Sequence, residues 1–181
     1  NKTIFYVNYI TNLVKCKFYK EALHTLENEF TIENALYKNM LLYNRLLCYL
    51  FLRDTKNLAT YITYDLDSAP FPQNYMLKVI KSIYFYLIKE YDTATSIINS
   101  LLQAKSSSDN MQYYQPVATI FKKLYTVSQK NSLIKKWPEK DMKLLHDGIH
   151  EFEKNAPPEF KLVSTYLWIK DEIELNLNKK I

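Results

Sequence analysis

Apolar residues recur at spacings of three and four along most of this 181-residue chain, which is the spacing of one face of an α-helix. Two clear runs are Leu36, Met40, Tyr43, Leu47 and Leu50, and Met142, Leu145, Ile149 and Phe152. No segment shows the sustained alternation of apolar and polar residues that a half-buried β-strand would give. The pattern therefore predicts an all-α fold of eight or nine helices.

Loop-forming residues divide these helices into antiparallel pairs. The prolines at positions 70 and 72, the Ser-rich segment 105–110 and the prolines at 157 and 158 each end a pair. The predicted hairpins cover about residues 2–30, 33–67, 73–104 and 111–154, and a capping helix follows at 159–178. Pro116 either begins or kinks the first helix of the fourth hairpin. We expect a right-handed stack of these hairpins, forming a single domain over residues 1–181.

Composition excludes several classes of site. The chain is 48% hydrophobic and 24% charged, which is typical of a globular protein. Its one glycine, Gly148, rules out most phosphate-cradling and dinucleotide-binding loops, because these need several glycines. The net charge is +5, and residues 110–138 contain lysines but no acidic residue. This acid-free segment either binds an acidic partner or is an ordinary solvated surface.

Cys16 and Cys48 do not form a disulfide framework, and both lie in apolar helical contexts, which favours a reducing compartment. Cys16 and His24 lie on different predicted helices, with nothing to orient them as nucleophile and base. No apolar run reaches 18 residues, so we expect a cytoplasmic protein. The chain starts at Asn1 rather than Met, which leaves open a membrane anchor or a DNA-binding domain upstream.

The joints between paired helices share a pattern in which a small residue follows an aromatic one by three positions. The matching pairs are Tyr19 with Ala22 and Tyr91 with Ala94, and Leu58 and Tyr61 occupy the same places in the middle hairpin. A small residue lets two helix backbones approach closely, while the ring fills the space beside the turn. In the middle pair, Tyr61 replaces the small residue. On this pattern, with joints 39 and then 33 residues apart, the chain resembles the tetratricopeptide (TPR) repeat family over about residues 1–104.

The resemblance implies a non-enzymatic module without a cofactor, which holds a peptide or a partner's helix in a groove lined by the first helix of each hairpin. The implied groove positions are Val7, Thr11, Leu46, Leu50, Val79 and Ile83. Because most of these are apolar, neighbouring polar residues are the candidates for polar contacts with a partner: Asn8, Asn12, Asn44, Arg45, Lys78 and Lys81. The alternative is that these six side chains simply face solvent. The chain is also similar to the peptide-sensing halves of bacterial regulators, so a sensing domain of a larger regulator is a second functional hypothesis.

His146 and His150 form the sharpest local motif. Histidines four residues apart share a helix face and can bind one metal ion, with Asp171 or Glu172 as a third ligand. Asp147 stands where the zinc-protease pattern has Glu, and Gly148 weakens the helix by about 1 kcal/mol. A metal-dependent hydrolase is therefore a third hypothesis, and partly buried structural histidines are its alternative.

Tyrosines near lysines suggest a different partner. Aromatic rings that stack on bases, beside lysines that neutralise phosphates, are typical of single-stranded nucleic-acid binding. Tyr113 and Tyr114, together with Lys122 and Lys123 in the acid-free segment, are the candidates. Because most other tyrosines fall at helical core spacing, we expect packing roles for them and regard nucleic acid as the less favoured partner.

Overall fold

The structure, a computed structural model, describes residues 2–27, 34–63, 72–103, 111–134 and 137–177. In these ranges it contains ten helices and no strand, which confirms the all-α prediction but exceeds the eight or nine helices predicted. The helices are α1 (Lys2–Lys15), α2 (Tyr19–Glu27), α3 (Ala35–Phe51), α4 (Thr55–Ile62), α5 (Gln73–Leu87), α6 (Tyr91–Gln103), α7 (Met111–Lys130), α8 (Glu139–Asn155), α9 (Pro158–Lys161) and α10 (Ser164–Leu177). Pro116 lies inside α7. The predicted hairpin ends near residues 30, 67 and 104 and the loop 105–110 lie outside the described residues.

The C-terminal segment differs from its prediction. One capping helix was expected at 159–178, but two helices, α9 and α10, are separated by Leu162 and Val163. Phe160 of α9 packs its ring on α7, 4.6 Å from the Tyr113 ring and 5.4 Å from the Tyr114 ring between centroids. We attribute the break to this contact, because it fixes α9 in its own position before α10 begins.

The chain divides into two compact units, residues 1–80 and 81–181. In the first unit, α3 packs against α1, α2 and α4. In the second unit, α7 packs against α6, α8 and α10. The expectation that residues 1–181 form one domain stays a prediction.

Three joints, between α1 and α2, α3 and α4, and α5 and α6, share one backbone geometry. Each contains one residue with positive φ: Lys17 at 64°, Arg53 at 56° and Lys89 at 66°. At the first joint, the N–H of Lys17 donates to the Val14 carbonyl at 3.0 Å and the N–H of Phe18 donates to the Leu13 carbonyl at 2.9 Å. The same two bonds recur at the other two joints, 36 and 72 residues later. This is the Schellman arrangement, which satisfies carbonyls at the helix end and starts the next helix.

These joints correct the register taken from the sequence. Lys17, Arg53 and Lys89 are 36 residues apart, so the spacing is 36 and 36 rather than 39 and 33. Leu58 is therefore the counterpart of Ala22 and Ala94, and not of Tyr19; all three side chains are fully buried. The aromatic pattern misled because the middle joint has Thr55 at the position that Tyr19 and Tyr91 occupy.

Aromatic rings fill the core of the second unit. Tyr125 is fully buried, with its ring 5.3 Å from Tyr86 and 5.9 Å from Phe121. Its hydroxyl lies 2.8 Å from that of Ser82. Burial, assisted by the nearby Glu172 carboxylate, raises the pKa of Tyr86, whose hydroxyl donates to Glu172 at 2.9 Å. Both tyrosines are therefore neutral hydrogen-bonding groups inside the core.

Candidate functional site

A groove of about 530 Å³ runs between α7 and α8 in the second unit. It is lined by Gln112, Tyr113, Pro116, Thr119, Ile120, Lys123, Gly148, Glu151, Phe152, Asn155 and Ala156. On both helices these residues recur at spacings of three and four, so each helix presents one face to the groove. Buried Ile120 and Phe152 make its floor apolar. The groove is in the size range of protein sites for small ligands and short peptide segments.

Gly148 lies inside α8 and lines this groove. A Cβ atom placed on it would be in ordinary van der Waals contact, 3.5 Å from Ile120 Cγ1 and 3.6 Å from Lys123 Nζ. A side chain longer than alanine would therefore have to share this space with the Lys123 side chain. The sequence showed this glycine only as a weak point of a helix, whereas the structure shows what its missing side chain leaves room for.

Opposite charges stand at the two walls. Lys123 of α7 is half-buried and Glu151 of α8 is exposed, and among the described residues no ion pair joins them. Pro116, which has no N–H to donate within α7, also lines the groove. The groove thus combines an apolar floor with a cation and an anion.

The two tyrosines proposed to stack on bases both contact the ring of Phe160. Tyr114 is buried, and Tyr113 is half-buried with its ring tilted against Phe160. These ring contacts give the two tyrosines a packing role beside any other. Nucleic-acid binding stays a prediction.

The lysines of the acid-free segment are not one surface. Lys130 is paired with Asp141, with 3.1 Å from Nζ to either carboxylate oxygen. Lys122 is exposed, and Lys123 lines the groove. Lys135 and Lys136 lie outside the described residues. Of the candidate lysines in this segment, Lys123 is the one that the structure places in a concave site.

His146 and His150 are exposed and border a depression of about 320 Å³ with Glu153, Lys170 and Glu174. Glu153 is engaged there, because it accepts from Lys170 Nζ at 2.7 Å and from the Tyr166 hydroxyl at 2.9 Å. Side-chain hydrogen bonds from these two groups, Lys170 first, hold the pKa of Glu153 below its ordinary value.

The third metal ligand expected from the sequence is not found. Glu172 is buried and accepts from the hydroxyl of Tyr86, so it is not a neighbour of the histidines in their depression. Among the described residues, no group of three or more His, Cys, Asp or Glu side chains is placed to hold a metal ion. Asp171, the other expected ligand, is exposed and does not border the depression. The metal-dependent hydrolase stays a hypothesis, without a third ligand for the two histidines among the described residues.

In the hairpins, two residues predicted to contact a partner bond to other parts of this chain instead. Asn44 is buried and donates to the Thr11 hydroxyl at 3.0 Å. Arg45 donates to the Tyr61 hydroxyl at 2.6 Å and to the Leu26 carbonyl at 2.9 Å. The same guanidinium lies 4.9 Å from the centroid of the Tyr61 ring. These contacts hold α3 against its neighbours, which corrects the expectation that Asn44 and Arg45 face a partner.

The other hairpin candidates are placed differently. Asn8 and Asn12 are exposed on α1, while Lys78 and Lys81 are half-buried on α5. The implied groove positions are nearly all core residues: Val7, Leu46, Leu50, Val79 and Ile83 are buried, and Thr11 is half-buried. The first helices therefore turn these side chains into the protein, which is a correction of the groove that the resemblance implied.

The two cysteines differ, because Cys48 lies in the core whereas Cys16 is exposed and not packed in the apolar context expected for it. Cys48 is fully buried, and burial raises the pKa of its thiol to about 12, which keeps it protonated and unreactive. Cys16 and His24 are exposed. Among the described residues, no helix is long and apolar enough to cross a membrane.

In comparisons with protein-family models, curated proteins and solved structures, nothing matched this chain.

Proposed function

We propose that this chain is a non-enzymatic interaction module that holds a short peptide or helical segment of another protein in the α7–α8 groove. The observation that supports this function is that one groove has an apolar floor and two opposite charges, Lys123 and Glu151, that are not paired with each other. Apolar side chains of the bound segment fill the floor and give affinity, while the two charges select its orientation.

The repeated joints support a TPR-like architecture for the hairpins. A period of 36 residues is close to the period of about 34 residues of that family, and each joint pairs two helices in the same way. On this proposal the hairpins form a right-handed stack. The binding groove is not the one lined by the first helices, because those positions are buried.

Selection of random 12-residue peptides against the whole chain tests the function. Gly148→Leu fills the groove and Lys123→Glu reverses its cation, so each variant should weaken selected peptides by about tenfold or more. Lys143→Glu is the matched control, because Lys143 is exposed on α8 and does not line the groove. Circular dichroism first establishes that every variant is folded.

The same selection gives the result that would contradict the proposal. If no peptide is enriched, or if enriched peptides bind Gly148→Leu and Lys123→Glu as tightly as the original chain, the groove does not bind peptides.

A small-molecule sensor is the second candidate, since the groove volume also suits such a ligand. A thermal-shift screen of small polar-apolar compounds tests it. The expected result is a rise in melting temperature that Gly148→Leu abolishes and Lys143→Glu retains. A shift that survives Gly148→Leu would place the ligand elsewhere.

A further inference from the structure

The turn between α7 and α8 presents two apolar side chains to solvent. Leu133 is 97% exposed and Ile134 is 46% exposed. Singly exposed apolar residues are common on protein surfaces, but a leucine that is almost completely exposed contributes nothing to the core. The two neighbours therefore form an apolar tip, which nothing in the packing of the second unit explains.

Hydrogen bonds hold the backbone that carries this tip. The buried Asn131 side chain donates through Nδ2 to the Val127 carbonyl at 2.9 Å and to Asp141 Oδ2 at 2.8 Å, which ties the end of α7 to α8. The N–H of Ile134 donates to the Asn131 carbonyl at 3.1 Å. The fold thus positions Leu133 outward on a hydrogen-bonded turn.

Positive charge accompanies the tip. Residues 130–143 contain two acidic residues and five lysines, namely Lys130, Lys135, Lys136, Lys140 and Lys143. Of the two acids, Asp141 already accepts from Lys130 at 3.1 Å. The other four lysines exceed the one other acidic residue, Glu139, so this segment favours an anionic partner.

A tryptophan belongs to the same segment. Trp137 is half-buried, whereas Trp168, the other tryptophan of the chain, is 3% exposed in the core. Tryptophan is enriched where membranes meet water, because its ring is apolar and its N–H still finds a polar partner. Exposed aliphatic residues, tryptophan and lysines are together typical of segments that bind the surface of an anionic bilayer.

The size of the tip favours a bilayer over a protein partner. A stable protein interface buries about 1,200 Å² or more and needs a surface of complementary shape. Two aliphatic side chains on a turn fall far short of that area, whereas lipid chains close around any side chain that enters them. A second copy of this chain would bring the same excess of lysines, so repulsion opposes self-association through the tip.

We propose that the α7–α8 turn binds the surface of an anionic bilayer. Leu133 and Ile134 enter the boundary between headgroups and acyl chains, Trp137 lies at the headgroup level, and the lysines of residues 130–143 meet the lipid phosphates. The helices stay folded and lie outside the bilayer. This site is separate from the α7–α8 groove, which no residue from 124 to 147 lines.

Vesicle sedimentation with the whole chain tests the proposal. Phosphatidylcholine vesicles that contain about a third phosphatidylserine should bind the chain saturably and at least tenfold more tightly than phosphatidylcholine alone. The affinity should fall as salt rises. Tryptophan emission should move to shorter wavelength on binding, and Trp137→Phe should abolish this shift because Trp168 is already buried.

Two double variants locate the site. Leu133→Ser with Ile134→Ser removes the apolar tip, and Lys135→Glu with Lys136→Glu reverses two of its charges. Each should weaken binding to the phosphatidylserine vesicles at least tenfold. Circular dichroism establishes that both variants are folded, which is expected because neither changes a buried residue of the described structure.

Matched double variants elsewhere are the controls. Leu162→Ser with Leu175→Ser removes two other exposed apolar side chains. Lys20→Glu with Lys56→Glu makes the same change in net charge at exposed positions of the first unit. Both should bind the phosphatidylserine vesicles nearly as tightly as the original chain.

Several results would overturn the proposal. These are no saturable binding to the phosphatidylserine vesicles, equal binding to phosphatidylcholine alone, and unchanged affinity after Leu133→Ser with Ile134→Ser. Sedimentation of the chain as a dimer that the same two changes dissociate would make a second copy the occupant. Saturable binding of a soluble Glu/Leu peptide in place of the vesicles would assign the tip to an acidic protein.

Discussion

The hairpin region, α1–α6, and the C-terminal region, α7–α10, achieve their packing in different ways. In the hairpins, one joint geometry recurs at 36-residue intervals, and a fully buried aliphatic residue, Ala22, Leu58 or Ala94, sits at the same place in each second helix. In the C-terminal region, α7 is 20 residues long, α9 has four residues, and large rings of α7, α8 and α10 pack with one another and with Tyr86 of α5. The groove between α7 and α8 belongs to this irregular region.

This difference relates the way two helices are joined to the room left between them. A repeated joint fixes the approach of two helices and leaves little room between them, and the first-helix positions expected to line a groove are mostly core. An irregular pair such as α7 and α8, with a glycine at its contact, leaves a cavity. The strongest way to test the comparison is to remove one ring from each region.

Tyr125→Ala should lower the free energy of unfolding by about 3–5 kcal/mol, because it removes a fully buried ring from the aromatic core. Tyr91→Ala in the hairpin joint should cost less, about 1–2 kcal/mol, since that ring is half-buried and 5.9 Å from Tyr86. Denaturant unfolding followed by circular dichroism measures both.

Tyr125→Phe is the control, because it keeps the ring and removes only the hydroxyl bond to Ser82, worth about 1 kcal/mol. A larger loss for Tyr91→Ala than for Tyr125→Ala would reverse the comparison and make the joint ring the more important one.

Arg45→Met should cost about 1.5–3 kcal/mol, because it removes charge-assisted bonds to Tyr61 and to the Leu26 carbonyl. Lys81→Met is the matched change 36 residues later and should stay within about 0.5 kcal/mol. Thermal and denaturant unfolding measure the stability loss of each variant. Equal effects would mean that the contacts of Arg45 are not specific to the second hairpin.

Much of the fold was predictable from local patterns. The spacing of apolar residues predicted hairpins that begin at about residues 2 and 111, where α1 and α7 begin, and Pro157 and Pro158 marked the end of α8. The break between α9 and α10 was not predictable, because it depends on Phe160 meeting rings that are more than 40 positions earlier in the chain. Distant contacts of this kind leave no local signal.

The site was less predictable than the fold. Lys123 was a candidate, but only as part of a basic segment, while Ile120, Glu151 and Phe152 carried no distinguishing signal. The single glycine inside a helix was the available clue, since glycine there costs stability unless something needs the space. The 36-residue register was also missed, because positive φ at lysine and arginine has no signature in the sequence.

Glycine substituted for the positive-φ residue of each joint tests the 36-residue register. Lys17→Gly, Arg53→Gly and Lys89→Gly should each raise the free energy of unfolding by about 0.5–1 kcal/mol, because glycine adopts positive φ without the steric cost that a Cβ imposes. Thermal unfolding of the three variants measures the gain.

Lys20→Gly is the opposite control, since it puts glycine inside α2 and should cost about 1 kcal/mol. Gains at Lys17 and Lys89 would support one repeated joint geometry. A loss at both positions would contradict it.

The smallest expected effect concerns one carboxylate in each region. Hydrogen bonds from Asn131 and then Lys130 hold the pKa of Asp141 below its ordinary value, and those from Asn57 do the same for Asp54 at the start of α4. A lowered pKa in the folded state contributes stability above the ordinary carboxyl pKa of about 4. That stability is lost as pH falls through the folded value.

The two carboxylates should differ in their response to salt. Asp141→Asn and Asp54→Asn should each flatten the fall in melting temperature below about pH 4, and Asn keeps the cap at α4. High salt should reduce the stability that ionised Asp141 contributes, because its partner Lys130 is charged. The stability that ionised Asp54 contributes should stay nearly unchanged, because the amide and backbone donors of Asn57 are neutral. Melting curves at pH 7 and pH 3, with and without 1 M salt, separate the two. Equal salt sensitivity would mean that Lys130 contributes nothing to the ionised state of Asp141.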